Sequence, residues 1–337
     1  MADSKIIRQA AFEPCEKMLK GGLHCHTTRS DGSGTPEEVE RYHAVHGYDF
    51  LALTDHRVYN RTDYAPDAGL LIIPGMEFDA GFDNDIGFRC FHTVCLGPND
   101  ESNGFADGDR FESGRVHDQF DFQQYLDWIH SKGNITFYCH PEWSSTPARN
   151  FDKLIGEFAM EVWNSGCVMD NDMDVDAPYW DEMLGLGHKI WGVAVDDGHP
   201  MRQHCNGWVM VNAEKSDKAV LDALVKGAFY SSCGPEIKDF YVEDGVAHVE
   251  CSPCAKIRFH ADRHPTRIVK ADDGRLITHA ERDLRDDYSY IRATVVDVDG
   301  KMAWTNPIYI KKHTKKKFRG CGKFAAPILY FALTISR

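Results

Sequence analysis

The sequence predicts an α/β chain followed by a smaller all-β module, on three observations. Short apolar strands alternate with helices of about 10–15 residues as far as residue 230, the mark of βα units around a mainly parallel sheet or barrel. Histidines and acids fall at or just past the strand ends, where such folds gather reactive groups. From Phe229 onward the helical pattern stops, and short strands separated by Asp-Gly turns replace it.

Each element has its own signal. Residues 20–26 read as a strand ending in a loop over 27–34. A helix follows, with Thr35 as N-cap, Pro36 at N1, Glu38 completing a capping box and Gly47 just past its end. Strands are expected over 50–54 and 70–73, then a turn at Pro74-Gly75 into Met76-Glu77-Phe78. A hairpin loop at 81–87 leads to a return strand at 88–96. Helical spacing runs over 119–132 with Gly133 behind it, and a strand at 134–138 delivers His140-Pro141. Next come a strand at 158–162, a helix at 177–186, a strand at 190–195 and a helix from Ser216 to Gly227. The β module is read as strands at 239–242, 247–251, 256–259, 267–270, 288–296 and 308–310, together a small sandwich. The domain reading is therefore a leader over 1–20, an α/β domain over 21–230, the β module over 231–313 and a tail over 314–337.

Composition removes whole classes of function. Of 337 residues, 42% are hydrophobic and 27% charged, a globular mix. Lys and Arg number 38 against 52 Asp and Glu, a formal charge of −14, which argues against nucleic acid or an anionic membrane as partner. No apolar secretory segment opens the chain. The apolar stretch 324–335 falls short of the ~20 residues a membrane span needs. Eleven cysteines without scaffold spacing point to reduced thiols in a cytoplasm. The 17 histidines are the feature to follow, because imidazole is the commonest metal ligand and general base.

In His24-Cys25-His26 an extended backbone turns both imidazoles to one side and Cys25 to the other. Such a triplet arises about once by chance at this composition, and Cys25 is read as a core thiol without a dedicated base. The pattern sharpens in combination with Asp31, Asp55-His56, Glu77, His92, His140 and Asp197-Gly198-His199. The stretch from His24 through Ser30-Asp31-Gly32, and Gly47-Tyr48-Asp49-Phe50-Leu51-Ala52-Leu53-Thr54-Asp55-His56, resemble the PHP family, the polymerase and histidinol phosphatase metallohydrolases. Glu161-Val162-Trp163-Asn164-Ser165-Gly166, the run from Gly227 to Pro235, and Ala303-Trp304-Thr305-Asn306-Pro307-Ile308 are similar to its CehA/McbA-type branch.

That resemblance, covering about 21–310, implies a distorted (β/α)7 PHP barrel with two to three divalent transition metals (Zn, Mn or Fe). His24, His26 and Asp197 would hold the first, and Glu77 would bridge the first and a third. Asp31, His56 and His199 would hold the second, while His92 and His140 complete the third. Asp31 replaces a histidine of some members, and Asp197 is preferred to Asp196 by its two-residue offset from His199. The mixed imidazole and carboxylate set independently suits transition metals over Ca or Mg. Arg29, Arg57 and Arg202, beside motif residues, are candidate substrate clamps. His43 and His46 are read as surface, Cys251-Ser252-Pro253-Cys254 as a loop, and His130, His204 and His260 as lacking partners at ligand spacing. Trp163, Trp191 and Trp208 are read as packing.

The function expected is hydrolysis of a small phosphorylated metabolite by a metal-bridging hydroxide, the substrate being small and anionic. One alternative is carbamate, ester or amide hydrolysis at the same centre. Another is a non-catalytic metal-stabilised binding module.

Overall fold

A computed structural model describes residues 8–13, 17–83, 88–174, 176–262 and 264–310. The tail expected over 314–337, most of the hairpin loop at 81–87 and parts of the leader lie outside the described residues.

Helix punctuation behaves as the sequence predicts. Pro36–Val45 begins at a complete capping box, with the Glu38 amide donating to Thr35 Oγ1 and the Thr35 amide donating to the Glu38 carboxylate. Asp217–Lys226 is capped by Ser216 and stopped by Gly227 in the left-handed conformation. Gln119–Ser131 starts at Asp118 and Asp176–Gly185 lies one residue from its expected limits. Ser165–Asn171, too short to show a helical period, is held by its cap Asn164, whose side chain accepts from the Cys167 amide. No helix among the described residues is long and apolar enough to cross a membrane.

The fold is mixed α/β, and its strands form three sheets. Six strands run, edge to edge, Trp191–Val195, Glu157–Asn164, Ile135–Tyr138, Cys90–Leu96, Gly75–Phe82 and Gly114–Val116. The first three are mutually parallel. The hairpin then brings in Cys90–Leu96 antiparallel to both of its neighbours, so the sheet is mixed rather than mainly parallel. A second sheet runs His264–Lys270, Lys256–Ala261, Tyr290–Val296, Met302–Thr305, Phe229–Ser232, Trp208–Val211, Leu19–Gly22, Phe50–Leu51 and Leu71–Ile72, with Ile308–Tyr309 pairing Tyr290–Val296. The third holds Gln9–Ala10, Ile237–Glu243, Val246–Cys254 and Ile277–Asp283.

Two consequences matter for the site. The second sheet passes without interruption from strands after residue 231 into the strand that leads to His24, because Met302–Thr305 pairs Phe229–Ser232. The sandwich expected there exists as two sheets over one core of Phe240, Val249, Ile257, Phe259, Ile291 and Val295, but one of those sheets is shared with the α/β part. Even the leader joins in, since Gln9–Ala10 pairs Ile237–Glu243. Second, the two larger sheets meet through isolated parallel bridges just past strand ends, Cys25 with Gly198 and His56 with Glu77. Their backbone bonds include Asp197 N–H to His24 O at 2.9 Å and Glu77 N–H to Thr54 O at 3.0 Å.

One expectation about the β module is corrected. Cys251 to Cys254 closes a strand rather than forming a loop. The pairing register shifts between Glu250 and Cys254, and such an irregularity accommodates Pro253, which has no N–H to give the ladder.

Candidate metal centre

Glu77 is the hub. It points inward from the middle of Gly75–Phe82, is fully buried, and meets five imidazoles. Oε2 lies 3.3 Å from His24 Nε2, 3.4 Å from His26 Nε2 and 2.9 Å from His56 Nδ1. Oε1 lies 2.7 Å from His92 Nδ1 and 3.2 Å from His140 Nε2. Asp197 adds a second carboxylate, with Oδ1 2.9 Å from His26 Nε2 and 3.3 Å from His24 Nε2. Toward the mouth, Asp31 stands 3.5 Å from His199 Nε2 and 3.8 Å from both His26 Nδ1 and His56 Nε2. All nine ligands expected from the sequence therefore converge. They sort into overlapping groups, His24, His26, Glu77 and Asp197; His26, Asp31, His56 and His199; and His56, Glu77 and His92, with donor atoms in each group within 4.8 Å of one another.

These contacts call for an electrophile. Protons on five imidazoles would crowd buried positive charge within a few ångströms, which a low-dielectric interior penalises heavily. Glu77 Oε2 and His56 Nδ1 have no hydrogen-bond partner among the described residues despite their approach. Divalent ions satisfy the same imidazole and carboxylate lone pairs together, one ion serving several of them, so the donor set fits transition metals.

The field of the cluster agrees. Burial pushes the Glu77 carboxyl up, but His56, His24 and His92 together outweigh it and hold the group well below the carboxylate range. Asp197 is likewise lowered against its burial by His24 and His26. Burial opposes a proton on His24, yet Asp197 and Glu77 raise it well above the usual imidazole value, which shows how strongly this pocket attracts a cation. His26, crowded by burial and by His56, is pushed down.

A layer of groups behind the cluster aims its members, and here the sequence reading missed residues. His24 Nδ1–H donates to Glu161 Oε1 at 2.7 Å, leaving Nε2 for the centre. Glu161 Oε2 accepts the His140 amide and the Asn164 side chain, which also donates to Asp197 Oδ2. Asp55 gathers the loop that carries Asp31, accepting from Thr27 and Ser30. Asp196 accepts the amides of Cys205, Asn206 and Gly207, so it ties a loop while Asp197, in the left-handed region at φ 47°, faces the cluster. A lone acid in the apolar run Phe158-Ala159-Met160-Glu161-Val162 is the signal that would have revealed Glu161.

The ligands open into a cavity of about 410 Å3, also lined by Trp143, Cys167, Asp170, Asn171 and Gln203. The three candidate clamps have protein partners, that of Arg202 being Asp170 of the cavity lining. Arg29 binds Asn60, Tyr64 and Asp107; Arg57 pairs Asp79; Arg202 pairs Asp170. None of them lines the cavity.

Three histidine readings are corrected. His43 is buried rather than at the surface, because Val39, Glu40 and His43 form the inward face of their helix. His204 is buried beside His43, with ring centroids 5.3 Å apart. His260 sits 3.4 Å from Asp181.

The chain matches no protein-family model and no curated protein sequence. Some solved structures resemble it at low similarity. One is a two-domain protein from Bacteroides vulgatus containing a predicted PHP-like metal-dependent phosphoesterase (14% identity over 91% of this chain and 99% of that one, TM-score 0.45). Another is described as a metal-dependent phosphoesterase from Bifidobacterium adolescentis (17% identity, 64% and 98% covered, TM-score 0.42). A third is an amidohydrolase from Chromobacterium violaceum (16% identity, 54% and 88% covered, TM-score 0.40). Likeness at this level carries nothing about activity, which must come from the side chains.

Proposed function

We propose that the chain is a PHP-type metal-dependent hydrolase of the CehA/McbA-type branch, built on a distorted (β/α)7 barrel and acting on a small phosphate ester in the cytoplasm. The observation that carries this reading is Glu77, one buried carboxylate whose two oxygens are divided among five imidazoles. That is the environment of a bridging ligand in a centre of two to three ions. A closed structural site needs only four donors, which weighs against a merely stabilising role.

Divalent ions bound there supply Lewis acidity and bring the pKa of a ligated water toward ~7. The protein's own part is positioning. Glu161 and Asn164 fix His24, His140 and Asp197, while Asp55 fixes the loop of Asp31. Asp31 and His199 stand at the mouth, where a substrate enters, and Trp143 forms a wall beside His92 and His140. Ser144 Oγ, 3.1 Å from His140 Nδ1, and Ser30 Oγ, 3.5 Å from His26 Nδ1, face rings whose Nε2 would be taken by an ion, and a ring so held is a poor general base for a covalent mechanism.

A second reading, attack on a carbamate, carboxylate ester or amide carbon, is favoured by one observation: the cavity lining contains no lysine or arginine. A phosphate would depend wholly on the metals for its countercharge.

The test is hydrolysis by protein loaded separately with Mn, Zn or Fe, assayed on phosphomonoesters, phosphodiesters, carbamates and carboxylate esters. Turnover of phosphoesters with one ¹⁸O from labelled water in the released phosphate supports the first reading. Turnover confined to carbon esters or carbamates transfers it to the second. Active protein carrying less than one metal equivalent ends both.

A further inference from the structure

On the other face of the extended segment that carries His24 and His26 lies a second donor cluster. Cys25 Sγ and one ring nitrogen each of His43 and His204 come within 4.8 Å of one another. All three side chains are buried, at 1%, 0% and 2% exposure. Strand alternation makes the separation clean: His24 and His26 face the cavity, and the residue between them faces this cluster. Asp197 and Asp196 divide in the same way, with Asp196 Oδ2 3.5 Å from His43 Nε2.

The nitrogens are poised as ligands. His43 Nδ1 lies 2.8 Å from the Val39 carbonyl oxygen and donates its proton there, which leaves the Nε2 lone pair bare and aimed into the cluster. Nε2 has no hydrogen-bond partner among the described residues. Neither ring nitrogen of His204 has one, although burial of an unsatisfied imidazole is costly. Close packing keeps the His204 ring in place, since a Cβ on Gly198 would lie 2.7 Å from its Nδ1. Two imidazoles with unpaired ring nitrogens and a thiol, brought from sequence-distant segments into one buried cluster, are a donor set that a cation would satisfy.

We propose that Cys25, His43 and His204 form a separate, buried Zn2+ site, with Asp196 as countercharge and fourth donor. Thiolate with two imidazoles is a donor set that zinc takes in proteins, and its sulfur sets it apart from the purely nitrogen and oxygen donors of the first cluster. The charge closes: one divalent ion is neutralised by one thiolate and one carboxylate. Binding displaces the thiol proton, which the neutral thiol shares with the Ala52 carbonyl at 3.4 Å, and releases it to solvent. The assignment is independent of any metal in the cavity.

Sulfur coordination separates the two sites experimentally. The full-length protein, stripped and saturated with Co2+, is expected to show a near-ultraviolet sulfur-to-cobalt charge-transfer band. The zinc form should show an X-ray absorption Zn–S distance of about 2.3 Å. Both signals should disappear in Cys25→Ser and fall at least several-fold in His43→Gln and His204→Gln, while surviving in His92→Ala, which strikes only the cavity. Circular dichroism identifies the folded variants, so a collapse of Cys25→Ser leaves the histidine variants to decide. Absence of any sulfur signal in the saturated wild type overturns the proposal. So does a signal that persists in folded Cys25→Ser or is undiminished in both histidine variants, as Cys251 and Cys254, 3.8 Å apart, would produce.

Discussion

Glu161 does not line the cavity, yet it holds His24 with one oxygen and the His140 backbone with the other. Glu161→Gln should therefore preserve folding and lower metal affinity about 10- to 100-fold, read by competition with a chelator. Asp197→Asn should lose both metal content and turnover, whereas Asp196→Asn should loosen the loop at 205–207 and spare the cavity metals. At this scale the sequence was most legible where spacing alone decides direction. His24, His26 and His199 are placed by period-two geometry and by short offsets from strand ends. It was least legible where burial runs against polarity. The helix Pro36–Val45 is so polar that its inward face, Val39, Glu40 and His43, carries two titratable groups, and a hydrophobic period cannot find such a face.

Among the elements, helix starts were readable because capping is local chemistry. Thr35→Ala should cost about 1 kcal/mol in denaturant unfolding, since it removes the hydroxyl that accepts from the Glu38 amide. Short strands were harder: Phe50–Leu51 and Leu71–Ile72 are two residues each, and tertiary pairing rather than propensity makes them strands. The helix Asp176–Gly185 opens on a buried acid. Burial pushes the Asp176 carboxyl up to about 7, Glu161 adds to the rise, and the Glu142 amide only partly offsets it. The folded state thus binds this proton more tightly than the unfolded chain does. Stability from that source is complete below about pH 4 and drains away as pH climbs to about 7, by at most roughly 4 kcal/mol. Asp176→Asn should remove this slope, so that the variant gains on the wild type between pH 5 and pH 8. Parallel unfolding curves at the two pH values would refute it.

For the whole molecule, the decisive interaction is the buried fork between Arg292 and Asp181, at 2.8 and 2.6 Å, with the guanidinium also 4.6 Å from the Trp180 ring. It joins Tyr290–Val296 to the helix Asp176–Gly185. Arg292→Met leaves Asp181 buried without its partner and should cost about 3–5 kcal/mol. Because Met302–Thr305 pairs Phe229–Ser232 inside one sheet, a fragment ending at 230 should fail to fold, as limited proteolysis and circular dichroism will report. The sequence indicated a change of texture at Phe229 but not that a sheet continues across it. Local turn and strand signals carry no information about which distant strands pair.

The two isolated bridges that join the larger sheets fall on Cys25 with Gly198 and on His56 with Glu77, beside the ligands themselves. The proposed metal cluster is consequently also the clasp of the scaffold, and removing ions bound there should unfasten the sheets at one spot. Amide hydrogen exchange should make this visible. In stripped protein the amides of His26, Glu77 and Asp197 should exchange far ahead of those in Ile135–Tyr138, and metal should slow them selectively. A metal-binding chain built this way would report its own loading through its mechanics: stripped of its ions, it should also be most open to a protease.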